Sequence, residues 1–187
     1  MNHYYYKFGF ALFLSLSSTA ALAADASAGK AQSAVCQGCH GSAGISNGGL
    51  FPSLAGQTAA YIEAQLKKFR SGERDSATMK SIAEDLSDAE IQNLAAYYAS
   101  LPGKSAGGDA ALAKTGKDKA TMCMGCHGEK FQGNGQFPKL AGQQPQYLQK
   151  QLQNFKSGAR KGGPMSAMAQ NLSEEDMKAL AAYLGSL

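Results

Sequence analysis

Histidine is scarce and tryptophan is absent. The 187 residues hold three histidines, four cysteines, five prolines and no tryptophan. His3 stands at the extreme N-terminus, so only His40 and His127 remain for the body of the chain. A histidine-rich metal cage is therefore excluded. The cysteines are confined to two short motifs, which argues against a disulfide framework. There is no dense basic run of the kind that marks nucleic-acid binding. Beyond the N-terminal stretch, no apolar run is long enough to span a bilayer. No segment alternates polar and apolar residues as a half-buried strand does.

The N-terminal stretch has the grammar of a secretory signal. Lys7 precedes an apolar run from Phe8 to Leu16, and Ala21-Leu22-Ala23 supplies the small-x-small cleavage pattern. Residues 1–23 are expected to be a leader removed after Ala23, and the remainder to be exported. An uncleaved membrane anchor is the alternative, at the short edge of a spanning length. Charge divides unevenly. Residues 24–104 carry seven Lys/Arg against eight Asp/Glu, and residues 105–187 carry ten against six. The second half is the basic one; its lysines fit either a face that steers an acidic partner or an ordinary solvated surface.

The chain repeats itself. Phe51–Leu101 aligns without a gap on Phe137–Leu187 at an offset of 86, with 23 of 51 positions identical. Upstream, Cys36-Gln37-Gly38-Cys39-His40 matches Cys123-Met124-Gly125-Cys126-His127 at an offset of 87. Two copies indicate a duplicated domain, not a solenoid. The linker Pro102–Gly108 separates them, so we expect one unit over 24–104 and another over 105–187. A unit this small buries little surface, and a large apolar cofactor would supply the missing core.

Each unit reads as helices. One begins near Asp25 and runs toward Cys36. A second covers about Thr58–Arg70, with Tyr61, Ile62, Leu66 and Phe69 at helical spacing. Its counterpart starts at Pro145, and Gly72 and Gly158 stand where these helices should end. A third starts at Ser87 with Glu90 three residues on, a capping-box pattern, and is matched from Ser173. The expected fold is all-α, in two tandem domains.

C-x-x-C-H is the attachment signature of c-type haem. Two cysteines three apart share one helical turn and reach the two vinyl groups of a single haem. The adjacent histidine then faces the iron. Two motifs in register imply two covalent haem c groups, held at Cys36, Cys39, Cys123 and Cys126. A thioredoxin-like redox pair would require a βαβ setting, which is lacking. Zinc would need a fourth ligand that neither motif supplies.

With His40 and His127 as one axial ligand each, no histidine is left for the opposite faces. Methionine is the candidate. Met79 is the only methionine of the first unit after the leader, and Met165 aligns with it. Met168 and Met177 align with isoleucines and read as core, while Met122 and Met124 lie at the attachment motif. Met/His ligation raises the haem potential and closes the iron to substrates, which describes a carrier and not a catalyst.

These residues resemble the class I cytochromes c, and in particular the two-domain dihaem branch, the cytochrome c4 family. The resemblance covers the whole chain after the leader and rests on both CxxCH motifs, both FPxLAGQ segments, both methionine loops and both LAAY helices. It implies that carbonyls of Pro52 and Pro138 accept a hydrogen bond from the axial histidines. It implies that Leu54 and Leu140 pack on the haem. It also places Gly29 with Tyr97, and Gly116 with Tyr183, where first and last helices cross. The two haem domains are expected face to face, with electrons passing from a quinol:cytochrome c reductase toward a terminal oxidase, in the periplasm or loosely held at the membrane. Two other functions compete: the cytochrome subunit of a larger oxidoreductase of the flavocytochrome type, and a dihaem peroxidase with an open iron.

Overall fold

The computed structural model of the chain describes residue 1 and residues 23–187. The expected leader, apart from its two ends, lies outside the described residues. Among those residues there are ten α-helices and no strand, only an isolated bridge between Asn134 and Phe137. The all-α reading is borne out.

The first unit contains α1 (Ala26–Gln32), α2 (Gln37–His40), α3 (Ala59–Ser71), α4 (Ala77–Ala83) and α5 (Asp88–Ser100). The second repeats the order with α6 (Ala110–Ala120), α7 (Met124–His127), α8 (Pro145–Ser157), α9 (Pro164–Gln170) and α10 (Glu174–Ser186). Local chemistry sets the ends. The Asp25 carboxylate accepts from the Ser27 and Ala28 amides and starts α1. Ser87 with Glu90, and Ser173 with Asp176, close reciprocal capping boxes on α5 and α10. Gly72 and Gly158 end α3 and α8 at φ 77° and 78°, a left-handed conformation that glycine adopts freely.

Packing follows from one close approach in each unit. α1 lies against α5 and α6 against α10. A Cβ on Gly29 would stand 2.0 Å from the Asn93 carbonyl oxygen, and one on Gly116 would stand 2.0 Å from that of Ala179. α3 and α8 pack on α5 and α10, and α4 and α9 in turn cover α3 and α8. The core of the first unit gathers Ile62, Leu94, Ala95, Tyr97 and Tyr98 against Cys36 and Leu54. That of the second gathers Phe131, Leu148, Leu180 and Leu184 against Cys123 and Leu140. Each core is thus built beside an attachment motif.

The copies differ at one strained position. Phe131 has φ 54° and is 2% exposed, where the first unit has Gly44 at φ 68°. A Cβ on Gly44 would meet the Tyr98 ring at 2.8 Å. The second unit has Leu184 where the first has Tyr98, and Phe131 instead packs edge-on against Tyr183. The aromatic ring has moved from the last helix to the loop, and the backbone strain at Phe131 is offset by burial.

The methionine segments, read from sequence as loops, are helical. Ser76 caps α4 by accepting from the Met79 amide at 3.3 Å, and Pro164 stands in the first turn of α9. Helices of seven residues are too short to show a periodic stripe.

Candidate haem sites and the surface between them

In each unit a 3-10 turn runs into the short helix that ends in histidine, and a glycine of positive φ then turns the chain away. His40 and His127 are buried, 8% and 5% exposed. His40 Nδ1 lies 2.8 Å from the Pro52 carbonyl oxygen, and His127 Nδ1 lies 2.8 Å from that of Pro138. A carbonyl only accepts, so Nδ1 carries the proton in both rings and Nε2 keeps its lone pair. Burial pushes both imidazoles below their ordinary value, against a smaller opposing effect of the proline carbonyl. Neutral imidazole with a free Nε2 is the form that binds metal. Phe51 and Phe137 stand edge-on to these rings, with centroids 6.5 Å and 6.4 Å away.

No disulfide joins any of the four cysteines. Burial raises Cys36 and Cys123 above the ordinary thiol value, which disfavours the thiolate. A neutral thioether suits that buried setting, and a free nucleophilic thiolate is disfavoured there. Leu54 and Leu140 are partly buried against the two cores. Met79 and Met165, also partly buried, stand on α4 and α9 in the same register of the repeat. Among the described residues, no group of three or more His, Cys, Asp and Glu side chains is arranged to hold a bare metal ion. The donor set of each unit fits a haem.

The two units meet through residues that the sequence reading passed over. Gln57 and Gln143, a repeat-related pair, are 6% and 7% exposed. Gln57 donates to the Lys139 carbonyl and accepts from the Lys139 amide, and Gln143 does the same with Ser53. Arg74 donates to Gln65 in its own unit and to Tyr147 and Gln151 in the other. Arg160 mirrors it with Gln151, Tyr61 and Gln65. Each guanidinium also lies over a ring of its own unit, Phe69 at 4.6 Å or Phe155 at 4.5 Å. Neither arginine has a carboxylate partner among the described residues. The contacts are related by a pseudo-twofold axis. The signal was present in the sequence: Gln57, Tyr61, Gln65 and Arg74 are identical to their counterparts, yet no single-domain role explains all four.

Comparison with known proteins decides the family. Residues 113–187 match the family model described as Cytochrome c, and residues 23–97 match Cytochrome C oxidase, cbb3-type, subunit III. Cytochrome c4 of Pseudomonas aeruginosa is 36% identical over 192 residues, covering 94% of this chain and 95% of that protein. The chain belongs to the cytochrome c4 family. The crystal structure of reduced recombinant cytochrome c4 from Pseudomonas stutzeri superposes with a TM-score of 0.83 at 36% identity, covering 88% of this chain and 100% of that one. A thiosulfate dehydrogenase electron acceptor of Stutzerimonas stutzeri is 36% identical over 170 residues, covering 81% of this chain and 78% of that protein. As a member of this family, the chain consists of two cytochrome c domains with two covalently bound haem c groups, and it is a dihaem electron-transfer cytochrome.

Proposed function

We propose that this protein is a periplasmic one-electron shuttle with both irons closed. His40 with Met79, and His127 with Met165, are the axial pairs. Cys36 with Cys39, and Cys123 with Cys126, form the thioethers. Pro52 and Pro138 orient the imidazoles, and Leu54 and Leu140 pack on the macrocycles. The leader ends at Ala23, and the units divide between residues 104 and 105. The bound haem supplies reversible one-electron chemistry at iron. The protein supplies a buried neutral imidazole in each unit and a hydrogen-bonded contact between the units.

The observation that carries this reading is the pair of His–Pro contacts, both 2.8 Å, which leave Nε2 free in both units. Electrons would enter from a quinol-oxidising complex and leave toward a terminal oxidase, with no reaction catalysed on the way. A second reading makes the chain the electron-accepting subunit of a larger oxidoreductase. The relatives described as thiosulfate dehydrogenase electron acceptors support it. A dihaem peroxidase would require Met79 or Met165 to stay off the iron.

The test is a haem count by pyridine haemochrome, followed by spectra with and without carbon monoxide. Two haems per chain, a weak methionine–iron band and no carbon monoxide shift are expected. A clear shift in the parent protein would mean an open iron and move the peroxidase ahead. Co-purification with a dehydrogenase from the native source would favour the subunit reading.

A further inference from the structure

Each candidate axial histidine is joined to the opposite domain through one peptide group. The Pro138 carbonyl accepts from His127, and the amide of that same peptide, on Lys139, donates to Gln57 Oε1 at 2.7 Å. The Pro52 carbonyl accepts from His40, and the amide of that peptide, on Ser53, donates to Gln143 Oε1 at 2.7 Å. Each glutamine is locked from three directions. Gln57 Oε1 also accepts from the Thr58 amide at 3.0 Å, and its Nε2 donates to the Lys139 carbonyl at 3.0 Å. Gln143 Oε1 also accepts from the Gln144 amide at 2.9 Å, and its Nε2 donates to the Ser53 carbonyl at 2.9 Å. Both side chains are buried, so water cannot readily take their place.

A peptide group is one resonant unit. An acceptor on its N–H draws negative charge toward its carbonyl oxygen and makes that oxygen a better acceptor, the polarisation expected along a hydrogen-bonded chain in a low dielectric. A better acceptor on Nδ1–H makes the imidazole a stronger donor at Nε2, which favours ferric over ferrous iron. We infer that Gln57 and Gln143 are positioning residues acting in trans, each tuning the haem of the domain to which it does not belong: Gln57 that of His127, and Gln143 that of His40. The inference rests on the reading of both histidines as axial ligands. It makes the domain contact part of the redox centre. Any docking event that loosens the contact would raise both potentials together.

The experiment is a redox titration of the full dihaem protein, with each haem followed separately by its methyl resonances in NMR. Hyperfine-shifted imidazole signals are recorded first, so that a failure of histidine ligation is seen on its own. Gln57→Leu should raise the midpoint of the C-terminal haem and leave that of the N-terminal haem in place. Gln143→Leu should do the reverse. Gln57→Glu and Gln143→Glu keep the acceptor, and should hold the opposite haem at or below its parental midpoint. A shift confined to the variant's own domain, an equal shift of both haems, or no shift overturns the proposal and leaves the glutamines as interface packing. If the leucine variants do not accumulate as loaded protein, the glutamates decide: a rise in the opposite haem's midpoint overturns the proposal.

Discussion

Replacing Gly29 by alanine should unseat the N-terminal haem domain. The added carbon would lie 2.0 Å from the Asn93 carbonyl oxygen and 2.9 Å from Tyr97 Cβ. Both neighbours belong to α5, one is backbone, and neither can rotate away. The helices would have to part by about 1 Å, an overpacking that costs roughly 1–3 kcal/mol or more. Alanine's better helix propensity returns at most about 1 kcal/mol. A net loss of about 2 kcal/mol lowers the midpoint of so small a unit by roughly 10 °C. The displacement also reaches the chemistry, because α1 leads through a 3-10 turn directly to Cys36. Thermal unfolding of the holoprotein, followed at the haem band, is the assay. A Gly29→Ala protein that melts with the parent would refute the argument from close approach.

Other predictions follow from the site and its supports. Met79→Ala and Met165→Ala should each open one iron, so that each variant binds about one carbon monoxide per chain and the double variant about two, read from the visible spectrum. The Lys119 ammonium, and then the Ser173 amide, hold the Asp176 carboxyl down to about 2, against an ordinary 3.8. The unfolded chain therefore takes up that proton first as pH falls. The stabilisation is complete above about pH 4 and disappears toward pH 2. Acid unfolding curves of the parent and Asp176→Asn should accordingly differ at neutral pH and converge near pH 2. Arg160→Leu removes the bonds to Tyr61 and Gln65, at 2.9 Å and 3.0 Å, and should drive the melting transitions of the two domains apart in calorimetry.

The repeat made much of the fold legible. Helix ends at Ser87, Pro145, Gly72 and Gly158 could be read because capping chemistry is local. The attachment motifs could be read because two cysteines and a histidine at fixed spacing serve few purposes. The exchange of Gly44 with Tyr98 for Phe131 with Leu184 was not legible. It joins positions far apart in sequence, and nothing local to Phe131 announces a left-handed backbone. The interface glutamines escaped for a related reason. Their partners are main-chain groups of the other unit, so side-chain chemistry alone cannot reveal them. The methionine helices were missed because one and a half turns carry no period.

The pseudo-twofold contact also bears on how this molecule meets others. A self-complementary surface on a free domain would seek a second copy. Here the matching surface arrives on the same chain, at an effective concentration set by the linker Pro102–Gly108. Gln57 and Gln143 bond main-chain groups of the opposite unit, and Arg74 and Arg160 bond tyrosine and glutamine side chains across the same contact, all inside one molecule. The arrangement is closed at two. Encounters with electron donors and acceptors are left to the outward faces.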